Sequence, residues 1–350
     1  MTQFSEQIRQ WYLLNFRKLP WRETKNPYKI WVSEVILQQT RVNQGLEYYN
    51  TFISEFPTVK SLAEAREGQV LKIWQGLGYY SRARNMHKAA KQVMRQHKGK
   101  FPMDYDGLIG LPGIGPYTAA AISSFASNEI RAVVDGNVLR VLARYFLIEE
   151  PVNSLKGKKI IDRLADELID KNHPGDHNQA IMELGALVCT PKPVCPLCPV
   201  SETCQALRKK KTEELPVKIP KATVRNRYIR YYFIHDGQSF LLRKRSGNDI
   251  WKGMFDLPSA ESEKKIKPSQ EKEFLKQTFK SARFIKKPVG KPLVHLLSHR
   301  KLYIEFVSVH VRKLPVLEQS VCIKKQKLKN HALPKPIENF FRQHLTSLLE

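Results

Sequence analysis

The chain has 350 residues, 42% of them apolar, and a formal net charge of +26. That length makes about two domains with real cores, and that charge makes polyanions the expected partners. No apolar run reaches the ~20 residues of a membrane helix, the N-terminus lacks a signal-peptide layout, and crowding of four of the five cysteines into 189–204 argues against a disulfide framework.

Residues 4–17 place Phe4, Ile8, Trp11, Tyr12 and Phe16 at helical spacing and stop before Pro20. Ser33 reads as an N-cap, so a helix is predicted from there, with Glu34 among apolar residues in its first turn. Residues 58–96 read as two helices, with Leu77–Gly78–Tyr79–Tyr80–Ser81–Arg82–Ala83–Arg84 between or opening them. A glycine, adjacent aromatics and two arginines suit a loop that wedges into DNA; aromatic packing under solvated arginines fits the stretch equally well. Residues 104–127 read as helix–hairpin–helix, the hairpin spanning 111–121. Gly113 and Gly115 permit positive φ, and the helix that follows offers its positive end to a phosphate. Asp135 is a natural N-cap for a helix over 136–148. Helices over 156–171 and 178–187 make residues 1–204 an all-α domain.

The pattern then changes. Residues 205–227 are polar, Lys-rich and Pro-punctuated, and read as a linker. Runs at 228–234, 239–242 and 303–311 read as strands, 271–281 as a helix and 259–272 as a flexible loop, so 228–350 is expected to be α+β. Charge divides the same way. Residues 205–350 hold 33 Lys and Arg against 13 Asp and Glu, whereas residues 1–204 hold 26 against 20.

Cys189, Cys195, Cys198 and Cys204 are spaced C-x5-C-x2-C-x5-C. Four thiolates within sixteen residues can close around one centre, and both zinc and a [4Fe–4S] cluster accept such a set. A zinc ribbon pairs two C-x2-C knuckles. The single knuckle here favours iron–sulfur, and the spacing is not that of a ferredoxin.

These features together resemble the helix–hairpin–helix DNA glycosylases, related to endonuclease III, and among them the adenine-specific family. The likeness rests on Leu19–Pro20–Trp21–Arg22, the run Trp31 to Thr40, Gly76 to Asn85, the hairpin, Val134–Asp135–Gly136–Asn137–Val138 and the cysteines. It implies a multi-domain protein: a two-lobed all-α glycosylase domain (1–204) with one [4Fe–4S] cluster on the four cysteines, and a Nudix-like α+β domain (228–350) that recognises 8-oxoguanine. It also implies a monomeric, cytoplasmic, nucleoid-associated base-excision enzyme. Its substrate would be double-stranded DNA carrying adenine opposite 8-oxoguanine or guanine. Residue by residue, Glu34 matches the general acid, and Asp135 the carboxylate that stabilises the sugar cation. Tyr117 and Asn137 match residues supporting that centre. Gln39 and Tyr79 match residues inserted into the base stack, with Thr40 and Leu77 beside the oxidised guanine. Arg22 and Glu183 match the lining of the adenine pocket, and Gly113 and Gly115 the phosphate-gripping hairpin. In the second domain Trp251 to Pro258 matches a family segment, and Ser298 and His299 match a Phe-Ser-His motif that reads 8-oxoguanine.

Two departures stand out. Leu297 replaces the usual Phe, and the first cysteine gap is five residues instead of six. Endonuclease III-type enzymes, which act on oxidised pyrimidines, carry a lysine nucleophile where this chain has Tyr117, so hydrolysis without strand cleavage is expected. The glutamate-rich Nudix helix is missing after Pro258, so no nucleotide hydrolysis is expected. A zinc deaminase needs H-x-E, and no histidine here is followed two residues on by Glu. The family often contacts a sliding clamp, although the chain has no clear peptide motif for one, and Cys322 has no assigned role.

Overall fold

The structure, a computed structural model, describes residues 2–220, 225–247, 249–280, 283–297 and 299–349. Backbone contacts divide the chain into two units, 1–64 with 85–221, and 65–84 with 222–350.

The first unit is helical. In chain order the helices of residues 1–208 are α1 (Gln3–Asn15), α2 (Pro27–Leu37), α3 (Val42–Glu55), α4 (Val59–Glu64), α5 (Glu67–Ile73), α6 (Ser81–Gln96), α7 (Tyr105–Ile109), α8 (Pro116–Ser127), α9 (Gly136–Tyr145), α10 (Leu155–Leu168), α11 (Pro174–Leu187) and α12 (Gln205–Arg208). Of these, α5 and the first turn of α6 belong to the second unit. A core of Phe4, Ile8 and Tyr12 from α1, Val138, Val141 and Leu142 from α9, Ile161 from α10, and Ala180, Ile181 and Leu184 from α11 binds one half of the unit; Cys189 and Cys198 pack at its edge. α2 lies against α3 and α8.

The predicted start of α2 at Ser33 is corrected. The helix begins at Pro27, capped by Asn26, whose side chain accepts from the Tyr28 and Lys29 amides at 3.0 and 3.2 Å. An Asn cap followed by Pro is the stronger start signal. Ser33 is an interior residue whose hydroxyl donates to the Ile30 carbonyl at 2.7 Å, and Glu34 lies in the later part of the helix. Asp135 does cap α9, accepting from the Asn137 and Val138 amides. The stretch 58–96 holds three helices instead of two.

Residues 205–220 are tied into the helical unit. The Val152 amide donates to the Val217 carbonyl at 3.0 Å, the Ile219 amide to Asn153 at 2.8 Å, and Arg144 Nε to the Leu215 carbonyl at 3.0 Å.

The second unit contains a seven-stranded mixed sheet. Its main path runs β3 (Phe255–Asp256), β2 (Ser239–Lys244), β1 (Arg225–His235), β6 (Arg300–Val311), β5 (Phe284–Leu296). β4 (Ser259–Ser262) also pairs with β1, and β7 (Ser320–Lys324) with β2. β1 and β6 are parallel, in register from Arg225↔Arg300 to His235↔His310. Leu275 and Phe279 of α13 (Pro268–Phe279) join Tyr232, Ile234, Val307 and Val309 in one core. Phe340 and Phe341 of α14 (Lys335–Leu349) pack with Phe233 in another. The flexible loop expected over 259–272 is replaced by β4 and the start of α13. β4 pairs with Tyr228–Tyr231, so its polar side chains sit on a hydrogen-bonded strand.

Candidate active site

A cavity of about 510 Å³ opens within the helical unit, and Glu34, Tyr117, Asp135, Asn137, Arg22 and Glu183 all line it. Residues as far apart as Arg22 and Glu183, separated by 161 positions, thus meet where α2, α8, α9, α11 and the segment before α2 converge.

Glu34 is 8% exposed. Tyr117 Oη donates to its Oε2 at 3.0 Å. Burial drives the Glu34 pKa up to about 7, reinforced by the nearby negative charge of Asp135 and opposed by the Tyr117 hydrogen bond. The Tyr117 hydroxyl is held well above its usual value, first by burial and then by the two carboxylates. Burial raises Asp135 as well, but three donors oppose it: the Val138 amide (2.7 Å), Asn137 Nδ2 (2.7 Å) and the Asn137 amide (2.8 Å). Donors aimed at a carboxylate favour its charged form. Two carboxylates therefore share one cavity in contrasting settings, one apolar and one rich in donors. Arg140 fixes Asn137 in turn, with Nη2 donating to Asn137 Oδ1 at 3.0 Å and to the Gly185 carbonyl at 2.7 Å.

Glu183 is fully buried. Arg22 holds it at 2.8 and 2.9 Å, as the motif suggests, but Arg17 holds it too, at 2.6 and 2.8 Å, with its own amide adding a bond at 2.9 Å. Burial alone would raise the Glu183 pKa; the two guanidiniums overcome it and pull the value down to about 2. Arg17 was not singled out in the sequence. Its signal is spatial, a pairing across 166 residues.

Gln39 and Thr40 also line the cavity, just past the end of α2. Gln39 has φ of +59°, and Tyr79 φ of +47°; non-glycine residues held there are uncommon and cluster at functional sites. Leu77 and Tyr79 lie in the second unit, Leu77 buried and Tyr79 47% exposed. In the hairpin Gly113 takes φ of +80°, with Asn85 Cβ only 2.7 Å from where a side chain would begin. Gly115 takes φ of −95° and serves as the N-cap of α8; no side chain caps that helix. First-turn amides without a side-chain cap can receive an anion. His299 is exposed in the turn between β5 and β6, and Ser298 lies outside the described residues.

Cys189, Cys195, Cys198 and Cys204 line one small pocket with Arg144, which donates to Cys189 Sγ at 3.4 Å and to the Thr190 and Pro191 carbonyls at 2.6 and 3.0 Å. The donor set is all thiol, which an iron–sulfur cluster and zinc both accept. Among the described residues no group of three or more His, Cys, Asp or Glu side chains is closed to metal-binding distance. No helix among them is long and apolar enough to cross a membrane.

The second helix of the helix–hairpin–helix, α8, lends Tyr117 to a two-carboxylate cavity, and the fold around it is that of a base-excision DNA repair protein. Residues 32–171 match the HhH-GPD superfamily base excision DNA repair protein model, and residues 230–343 the NUDIX domain model. The chain is 38% identical over 257 residues to an adenine DNA glycosylase of Buchnera aphidicola (subsp. Acyrthosiphon pisum), covering 73% of each. It is 34% identical over 321 residues to another from Buchnera aphidicola (subsp. Baizongia pistaciae), covering 91% of this chain and 89% of that one. A thermostable thymine-DNA glycosylase structure aligns at 28% identity with a TM-score of 0.55, covering 59% of this chain and 95% of the other. The chain belongs to the adenine DNA glycosylase family.

Proposed function

We propose that this protein removes adenine opposite 8-oxoguanine or guanine in duplex DNA by hydrolysing the N-glycosidic bond, leaving an abasic site. The observation that carries the reading is the pairing of Glu34 and Asp135 across one cavity, with their environments set apart. A base inside a duplex is out of reach, so it must be flipped into a pocket. Neutral adenine is a poor leaving group and needs a proton. Glu34, whose pKa burial lifts to about 7, keeps a substantial protonated fraction at neutral pH and can deliver its proton to a ring nitrogen while Tyr117 fixes Oε2. As the bond breaks, positive charge grows on the sugar. Asp135, aimed by Asn137 and the α9 amides, faces that charge as in glycoside hydrolysis. Water then adds its hydroxyl to the sugar carbon and passes its proton to the carboxylate that Glu34 has become. Glu183, locked by Arg17 and Arg22, forms a rigid wall of the base pocket.

Tyr117, rather than a lysine, at the hairpin supports a monofunctional hydrolase with no Schiff base. By their match to the family, Gln39 and Tyr79 would enter the base stack, Thr40 and Leu77 would contact the opposite base, and Gly113 and Gly115 would hold a backbone phosphate. Ser298 and His299 would read the oxidised guanine. Cys189, Cys195, Cys198 and Cys204 would hold one [4Fe–4S] cluster, whose ligation closes the 189–204 loop.

The test is incubation with duplexes carrying adenine opposite 8-oxoguanine, guanine or thymine, followed by alkali. Strand breaks are expected at the adenine of the first two. Intact strands in both would defeat the reading.

A further inference from the structure

The second unit joins two distant pieces of chain, 65–84 and 222–350. The first piece carries the loop 76–80. That loop is strongly shaped: Gly76, Gly78 and Tyr79 all have positive φ, at +101°, +73° and +47°. Trp74 Nε1 donates to the Gly78 carbonyl at 3.1 Å, and Arg82 Nη2 to the same carbonyl at 3.3 Å. The Arg82 guanidinium also lies over the rings of both Trp74 and Tyr79. Tyr79 is left projecting, 47% exposed.

Both flanks of the loop are gripped by the C-terminal piece. On one side Gln75 Oε1 accepts from the Leu333 amide at 3.0 Å, and Lys72 Nζ donates to the His331 carbonyl at 3.3 Å. On the other, Arg84 Nη1 donates to the Lys252 carbonyl at 2.8 Å. Gly253, at φ of +84°, packs so closely that a Cβ there would stand 2.9 Å from Glu67 Oε1 and 3.1 Å from Leu71 Cδ1. The gripping turn is itself braced. The Gly253 amide donates to the Arg245 carbonyl at 2.8 Å and the Arg245 amide to the Met254 carbonyl at 2.9 Å. The Arg245 side chain is paired with Asp249 and Asp256.

We propose that residues 251–254 and 331–333 are positioning elements for the wedge loop: the C-terminal piece holds Tyr79 ready to enter the base stack. It therefore promotes flipping whatever base stands opposite, in addition to any reading of 8-oxoguanine. This rests on Tyr79 being the inserted residue, as proposed above. A strained loop relaxes unless its surroundings over-determine it, and the contacts from Lys252, His331 and Leu333 supply that constraint from outside the loop.

The test uses the full chain and two readouts. The first is amide hydrogen exchange of residues 76–80 in the free protein. Gln75→Ala combined with Arg84→Ala is expected to speed it about tenfold, the scale of losing one or two hydrogen bonds, with α8 and α9 unchanged. Gln75→Glu keeps the acceptor for Leu333 and is expected to retain protection. The second readout is fluorescence of 2-aminopurine in place of the target adenine, opposite ordinary guanine. The double variant is expected to give about tenfold less brightening, the same factor carried through to flipping. Unchanged exchange at 76–80 overturns the grip, and faster exchange with undiminished brightening overturns its role in flipping. The exchange arm needs no DNA, so its failure is distinct from failure of wild-type protein to excise adenine.

Discussion

Glu34 is a costly residue for the fold. Its pKa lies near 7 against an ordinary 4.5, a difference worth about 3 kcal/mol of stability between the two protonation states. The sign follows from the direction. Below pH 4.5 the carboxyl is protonated both folded and unfolded, and burial carries no charge cost; between 4.5 and 7 that stability is lost, and above 7 the full cost stands. Glu34→Gln keeps the shape without the charge. It is expected to abolish excision, by a factor of about 10² to 10⁴ for a lost general acid, while its thermal midpoint at pH 8 matches or exceeds wild type. In the wild type the single-turnover rate is expected to fall about tenfold per pH unit above pH 7 as Glu34 loses its proton, and to fall on the acid side as Asp135, whose pKa burial raises, takes one up. A variant with full activity, or a rate flat to pH 9, would remove Glu34 from the chemistry. At this scale the sequence was informative where a residue sits in a local motif. Glu34, Asp135 and the cysteines have such motifs. Arg17 does not, because its partner Glu183 is met only through packing of α11.

At the scale of elements, the cavity depends on how closely α9 and α11 approach. Gly185 makes that approach possible: a Cβ there would lie 2.7 Å from Asn137 Cβ and 3.0 Å from the Asn137 carbonyl oxygen. The neighbour is largely backbone and cannot swing aside, so Gly185→Ala must push the first turn of α9 outward. Asp135 and Asn137 ride on that turn. The variant is expected to lose about 1–3 kcal/mol of stability, the usual cost of overpacking. Its single-turnover excision is expected to fall more than about tenfold, since small misplacements at a reacting centre are costly. Thermal unfolding and a single-turnover assay check the two parts, and a variant as fast as wild type would show that the site tolerates the shift. The elements were legible where caps and periodicity agreed, as at Asp135. They were misread where two cap signals competed, since Ser33 looks like a start only until Asn26 and Pro27 are weighed. Ser259–Ser262 looked like a loop because its strand identity comes from pairing with β1, a nonlocal fact.

Over the whole molecule, composition marked the change from helical to mixed architecture, but it could not show that 65–84 joins residues 222–350, which depends on contacts spanning up to 259 residues. Charge is the whole-molecule property that sequence states outright. Of the net +26, residues 205–350 contribute +20, from 33 basic and 13 acidic residues. A surplus of that size favours DNA of any sequence by releasing counterions, and base contacts then choose the site. If about six phosphates are neutralised, affinity for a mismatched duplex is expected to drop on the order of 10³-fold between about 50 and 200 mM salt. The rate of excision from the bound complex should change little, because Glu34 is buried and Asp135 half-buried, and both are screened only weakly. Binding isotherms and saturating single-turnover rates across that salt range separate the two effects. A binding slope below that of about two phosphates would show that the positive charge serves something other than DNA, and a saturating rate that falls with salt would place an exposed ion pair in the chemical step.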